Sequence, residues 1–153
     1  MPTRSAGFAL IELGVVLVII GSLLFIVVTQ TVQSHSQSGN IQRRADVNSI
    51  LNAVLAYAKD NGGKLPEGVA QQPKLIASTN AESAVNLCHA LVPKYLTTIP
   101  IDPNNGLAVP VGSKCNEKNA RYSSGYMVQA TPDNKVLVSA PGADGTDAIF
   151  AQN

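Results

Sequence analysis

From Phe8 to Val28 every position is apolar or glycine except Glu12 and Ser22. These 21 residues are enough to cross a hydrocarbon core of ~30 Å at ~1.5 Å per residue. Glu12 breaks the pattern, since a carboxylate at mid-bilayer costs on the order of 2.5–3.5 kcal/mol. Two readings of it follow from the residues alone. Either Glu12 sits near the start of the span and reaches the headgroups, or it has a cationic partner inside the membrane. Thr29–Asn40 is a polar patch of weak helix propensity, with His35 alone in it as a solvated side chain. Beyond it the pattern becomes amphipathic. Val47, Ile50, Leu51, Val54, Leu55 and Ala58 recur at three- and four-residue steps, and Arg44, Asn48, Asn52 and Lys59 fall off that stripe. No proline lies between Pro2 and Pro66, so helix is permitted from Phe8 to about Asp60, a rod of ~80 Å. Asn61-Gly62-Gly63 ends it.

Lys64–Thr79 reads as loop. Thr79-x-x-Glu82 predicts a capping box before a short helix carrying Ala84, Val85, Leu87, Cys88, Leu91 and Val92 and ending before Pro93. Prolines and Asn104-Asn105-Gly106 exclude regular structure in the next stretch. From Arg121 the pattern turns to strand. Arg121–Thr131 and Lys135–Ala140 predict a hairpin around Pro132-Asp133-Asn134, with a third strand near Asp147–Ala151. The fold class expected is α+β, a long N-terminal helix with a transmembrane and an amphipathic half packed on a small antiparallel sheet.

Gly7, then Phe8, then Glu12 four places on, with a short basic leader in front and an apolar span behind, resembles the prepilin signal of type IV pilins and type II secretion pseudopilins. The resemblance covers about the first 60 residues. It implies a pilin-like fold and cleavage by a prepilin peptidase between Gly7 and Phe8. It further implies N-methylation of Phe8 and contact of Glu12 with the α-amino group of Phe8 on a neighbouring subunit. That contact is the partner charge the bilayer argument asks for. The implied partners are identical or related pilin subunits and an inner-membrane assembly platform. The implied organisation is a leader at 1–7, an assembly helix at 8–28 and a head at 29–153. The head divides into an amphipathic helix at 29–60, a loop-rich region at 61–120 and a sheet at 121–153. Tyr95-Leu96-x-x-Ile99-Pro100-x-Asp102-Pro103 is similar to the stretch many relatives carry between rod and sheet. Relatives often bend the rod at a proline where this chain has Thr29.

Charge and composition narrow the setting. Lys plus Arg is 11 and Asp plus Glu is 10; loss of the leader removes Arg4 and leaves 10 of each, so no bulk charge draws the chain to nucleic acid. Arg43, Arg44, Lys114, Lys118 and Arg121 are the cations a DNA-binding face would need to group. Met1–Gly7 carries one Arg, and Thr29–Gln42 carries no Lys or Arg, which places the N-terminus in the cytoplasm and the head outside it. No small-residue cleavage site follows Val28-Thr29-Gln30, so the span is expected to stay on the product, which the resemblance places in a bacterial inner membrane.

Cys88 and Cys115 are the only cysteines, and outside the inner membrane an even pair reads as a disulfide closing 26 intervening residues. A metal reading of Cys88, His89 and Cys115 lacks a fourth ligand and splits neighbouring positions around a helix. No catalytic constellation is visible, so an enzyme is not expected, and neither G-x-S-x-G nor a phosphate-cradling Gly-Lys loop occurs. Ser139-x-x-Gly142-Ala143-Asp144-Gly145, followed by Asp147, reads as a polar turn before the last strand. It is also similar to the C-terminal loop in which major pseudopilins often hold calcium, which makes Asp144 and Asp147 the calcium candidates. No other cofactor is expected. The function these expectations converge on is a filament subunit; the alternative is a membrane-anchored periplasmic binding or scaffolding domain that does not polymerise.

Overall fold

A computed structural model describes residues 6–79, 81–107, 121–133, 135–143 and 148–153, with side chains described except at 6–10 and 23–37. The protein is α+β. Helix α1 runs Ala6–Asp60, and the chain divides into two compact units, Met1–Gln37 and Ser38–Asn153. In the first unit the described side chains, 11–22, are all exposed, including Ile11, Leu13, Leu17 and Val18. No helix long and apolar enough to cross a membrane is found among the described residues, and within the apolar run side chains are described at those 12 positions.

The second unit is built on the amphipathic end of α1. Val47, Ile50, Leu51, Val54 and Ala58 are buried, Leu55 is half-buried, and Arg44, Asn48, Asn52 and Lys59 are exposed, as the periodicity requires. The helix stops where glycine makes left-handed backbone cheap: Gly62 has φ +66° and Gly63 φ +84°, and the Gly63 amide donates to the Ala58 carbonyl at 2.7 Å.

The sheet corrects the expectation of a purely antiparallel one. Five strands, β1 (Lys74–Ala77), β2 (Ala84–Val85), β3 (Ser123–Ala130), β4 (Val136–Ala140) and β5 (Ile149–Gln152), lie in the order β2-β1-β3-β4-β5. β1 and β2 pair in parallel, with Leu75 opposite Ala84. All other pairs are antiparallel, the β3–β4 hairpin setting Val128 opposite Val138 and Ala130 opposite Val136. β1 arises from a stretch that reads as loop, because it follows Pro73 among small polar residues and its burial does not alternate, Ile76 and Ala77 both being buried. β2 displaces the start of the expected helix. Thr79 Oγ1 accepts from the Ala81 amide at 3.3 Å in a local turn and caps no helix. What remains is α2, Cys88–Leu91, with Leu87 at its N-cap and, just before it, an Asn86 side chain that accepts from the Cys88 amide at 3.0 Å.

Alternation decides which side chains enter the core. In β4 Val136, Val138 and Ala140 point inward, and in β5 Ile149 and Ala151 do so while Phe150 and Gln152 face out. These join Val47, Ile50 and Val54 of α1, and Leu87, Leu91 and Ile99 from the middle of the chain, in one cluster. Each fully buried Val, Leu or Ile contributes about 1.5–3 kcal/mol.

Candidate functional site

Two places gather chemistry, one in each unit. In the first, Glu12 lies on α1 beside Ile11, Val15 and Val16, all four exposed. Its neighbours are apolar because the sequence there is apolar on every side, a pattern that suits burial in other helices or in lipid. Gly7 and Phe8 fall in the first turns of α1, and nothing is described of the Phe8 side chain.

The second place is a buried polar knot in the head that the sequence does not announce. Arg43, on the same end of α1 as the apolar stripe, is fully buried. Its Nε donates to Asp102 Oδ2 at 2.7 Å and its Nη2 to Asp102 Oδ1 at 3.2 Å, a two-pronged pair with both side chains shut from solvent. Arg43 Nη1 donates to Asn40 Oδ1 at 2.9 Å. Asp102 Oδ1 also accepts from the Asn104 and Asn105 amides, each at 2.9 Å, and so folds its own turn. Burial pushes the Asp102 carboxyl up, but the Arg43 guanidinium and the two amides outweigh it, and the group titrates below the ordinary carboxylate value.

Glycines make room for this pair. Gly125 on β3 has φ +79°, and a Cβ there would sit 2.6 Å from the Asp102 Cβ. A Cβ at Gly142 would meet the Asn105 side-chain amide and lie 3.3 Å from Asp102 Oδ2. The knot thus ties α1, the 102–106 turn, β3 and the segment after β4 to one charge pair. One turn along α1, Asp46 accepts from the Tyr126 hydroxyl at 2.7 Å. Burial, with a smaller push from the Asp102 charge, raises the Asp46 carboxyl above its ordinary value, against hydrogen bonds from Tyr126 and Gln42. The same burial, with the Asp46 charge beside it, raises the Tyr126 hydroxyl.

Arg43 therefore cannot serve as a surface cation for nucleic acid, and that part of the expected basic group is corrected. Arg44 and Arg121 are exposed, and Lys114 and Lys118 lie outside the described residues. Cys88 is buried and disulfide-bonded, which removes it from metal binding; Cys115 lies outside the described residues, and His89 is exposed. Asp144 and Asp147 also lie outside them. Among the described residues no group of three or more His, Cys, Asp or Glu side chains is arranged to hold a metal ion. The one trace of the knot in the sequence is Asp102-Pro103-Asn104-Asn105-Gly106, an aspartate opening a turn, which marks the turn but not its arginine. Compared with known proteins, the chain matches no family model, no curated protein and no solved structure.

Proposed function

We propose that the protein is a structural subunit of a type IV pilus-like or type II secretion filament, assembled from the inner membrane after cleavage between Gly7 and Phe8. The observation that carries this reading is one carboxylate, Glu12, four residues beyond Phe8 in an otherwise unbroken apolar run. The exposure of every described side chain from Ile11 to Ser22 supports it, because a helix apolar on all faces needs a partner on all faces. The mechanism is assembly. The apolar helix waits in the bilayer, loses its leader and then exchanges lipid for the helices of neighbouring subunits. Cohesion follows from tight packing between helices. Register follows from Glu12, whose buried charge is relieved only where a neighbour's α-amino group meets it. The α+β head is carried outward as the surface of the polymer.

Glu12→Ala separates register from insertion. The variant is expected to enter the membrane at the normal level and to give at least about a tenfold lower filament yield, the loss of one desolvated charge contact. Normal filament yield from Glu12→Ala removes the register role.

A further inference from the structure

The chain contains two Asn-Gly pairs, Asn61-Gly62 and Asn105-Gly106, and the fold treats them differently. An Asn-Gly pair is a site of spontaneous deamidation. The glycine amide nitrogen loses its proton to solvent base and attacks the asparagine Cγ. A C–N bond forms, the bond to Nδ2 breaks, and ammonia leaves a five-membered imide. Water then opens the ring to aspartate or to its isomer with the chain routed through the side chain.

At Asn105-Gly106 the attacking nitrogen is occupied. The Gly106 amide donates to the Asp102 carbonyl at 3.1 Å, and the Asn105 amide donates to Asp102 Oδ1 at 2.9 Å. The site is also crowded, since a Cβ at Gly106 would overlap the Ile101 side chain and approach the Asp102 carbonyl oxygen to 2.9 Å. The Asn105 side-chain amide is packed against Gly142.

At Asn61-Gly62 the reverse holds. Asn61 and Asn105 are both exposed, but nothing lies within 4 Å of a Cβ built at Gly62. Among the described residues the Gly62 amide has no backbone acceptor, although the Asn61 and Gly63 amides on either side both do. Among the described residues the Asn61 side chain makes one hydrogen bond, from Nδ2 to the Tyr57 carbonyl at 2.8 Å, which holds the leaving group and not the nucleophile. We infer that Asn61 is a deamidation site of the folded protein and that the Asp102 turn protects Asn105. The product places a new carboxylate beside Asp60, whose Oδ2 already takes Lys94 Nζ at 2.7 Å and the Tyr95 hydroxyl at 2.9 Å. It also sets a negative charge at the negative end of α1, so the reaction ages the contact between the end of the helix and the 94–95 segment.

The test uses the full chain in detergent at mildly alkaline pH, with timed samples digested and the Asn61 and Asn105 peptides followed by mass spectrometry. In the folded protein the Asn61 peptide is expected to turn acidic about tenfold faster than the Asn105 peptide, the effect of having to break the hydrogen bonds that hold the second nucleophile. In urea the two rates are expected to converge. Equal rates in the folded chain, or a difference that survives in urea, overturns the inference. Isoelectric focusing is a second readout: each event lowers the formal net charge by one, the first from +1 to 0, and Asn61→Gln is expected to abolish the early acidic band. Persistence of that band in the variant also overturns it.

Discussion

Arg43→Ala is the sharpest perturbation of the head. It removes the donors to both Asp102 oxygens, at 2.7 and 3.2 Å, and the donor to Asn40. Asp102 Oδ1 keeps the Asn104 and Asn105 amides, but Oδ2 is left in a site with no solvent exposure. Breaking a buried ion pair from one side costs about 3–5 kcal/mol, and the surviving amides place this case at ~3–4 kcal/mol. Against a total stability of about 5–15 kcal/mol, that is a large share. All four tyrosines, Tyr57, Tyr95, Tyr122 and Tyr126, lie in the second unit and the chain has no tryptophan, so tyrosine fluorescence in a urea titration reports on the head alone. With a slope of about 2 kcal/mol per molar, the midpoint is expected to fall by ~1.5–2 M. Asp102→Asn, alone and with Arg43→Ala, completes the cycle, and a coupling of about 2–3 kcal/mol is expected. A loss below ~1 kcal/mol, or additive single effects, refutes the assignment of Arg43 and Asp102 as the tie between α1 and the sheet.

Gly125→Ala is expected to destabilise by about 2–4 kcal/mol in the same titration, because φ +79° costs a side chain ~1–2 kcal/mol and the new Cβ meets that of Asp102. Asp46→Asn tests pH dependence. The Asp46 carboxyl is raised in the folded head, so its share of stability is full below the ordinary value of 3.8 and is lost as pH rises through the raised folded value. Asparagine keeps an acceptor for Tyr126 without titrating, so the variant is expected to gain on the wild type as pH rises across that window. Parallel stability–pH curves contradict it.

What was legible in the sequence and what was not divide on a physical line. The α1 stripe from Val47 to Ala58 and the β3–β4 hairpin repeat a period often enough to be seen, the glycine terminator shows in residue type alone, and the head contains all three. β1 buries Ile76 and Ala77 side by side and β2 has two residues, so neither shows an alternation, and their pairing is a tertiary choice: the Leu75 amide finds the Ser83 carbonyl at 2.8 Å only once the chain has turned. The capping box misled for a similar reason. Thr79 satisfies a nearby amide, while the helix begins only at Cys88, nine residues later. Arg43 misled most. Charge at the edge of an apolar stripe reads as solvent-facing, and nothing local says that a carboxylate 59 residues away will meet it in the core. Glu12 is the opposite case: the oddity is local, one acid among apolar neighbours, so one look along the chain finds it.

The proposed function turns on what happens between Gly7 and Phe8. Mass spectrometry of the N-terminal peptide from protein isolated out of its native membrane reads that directly. The filament-subunit reading predicts a chain that begins at Phe8 with a methylated amino group. A chain that still begins at Met1, in cells that carry the export machinery, contradicts it.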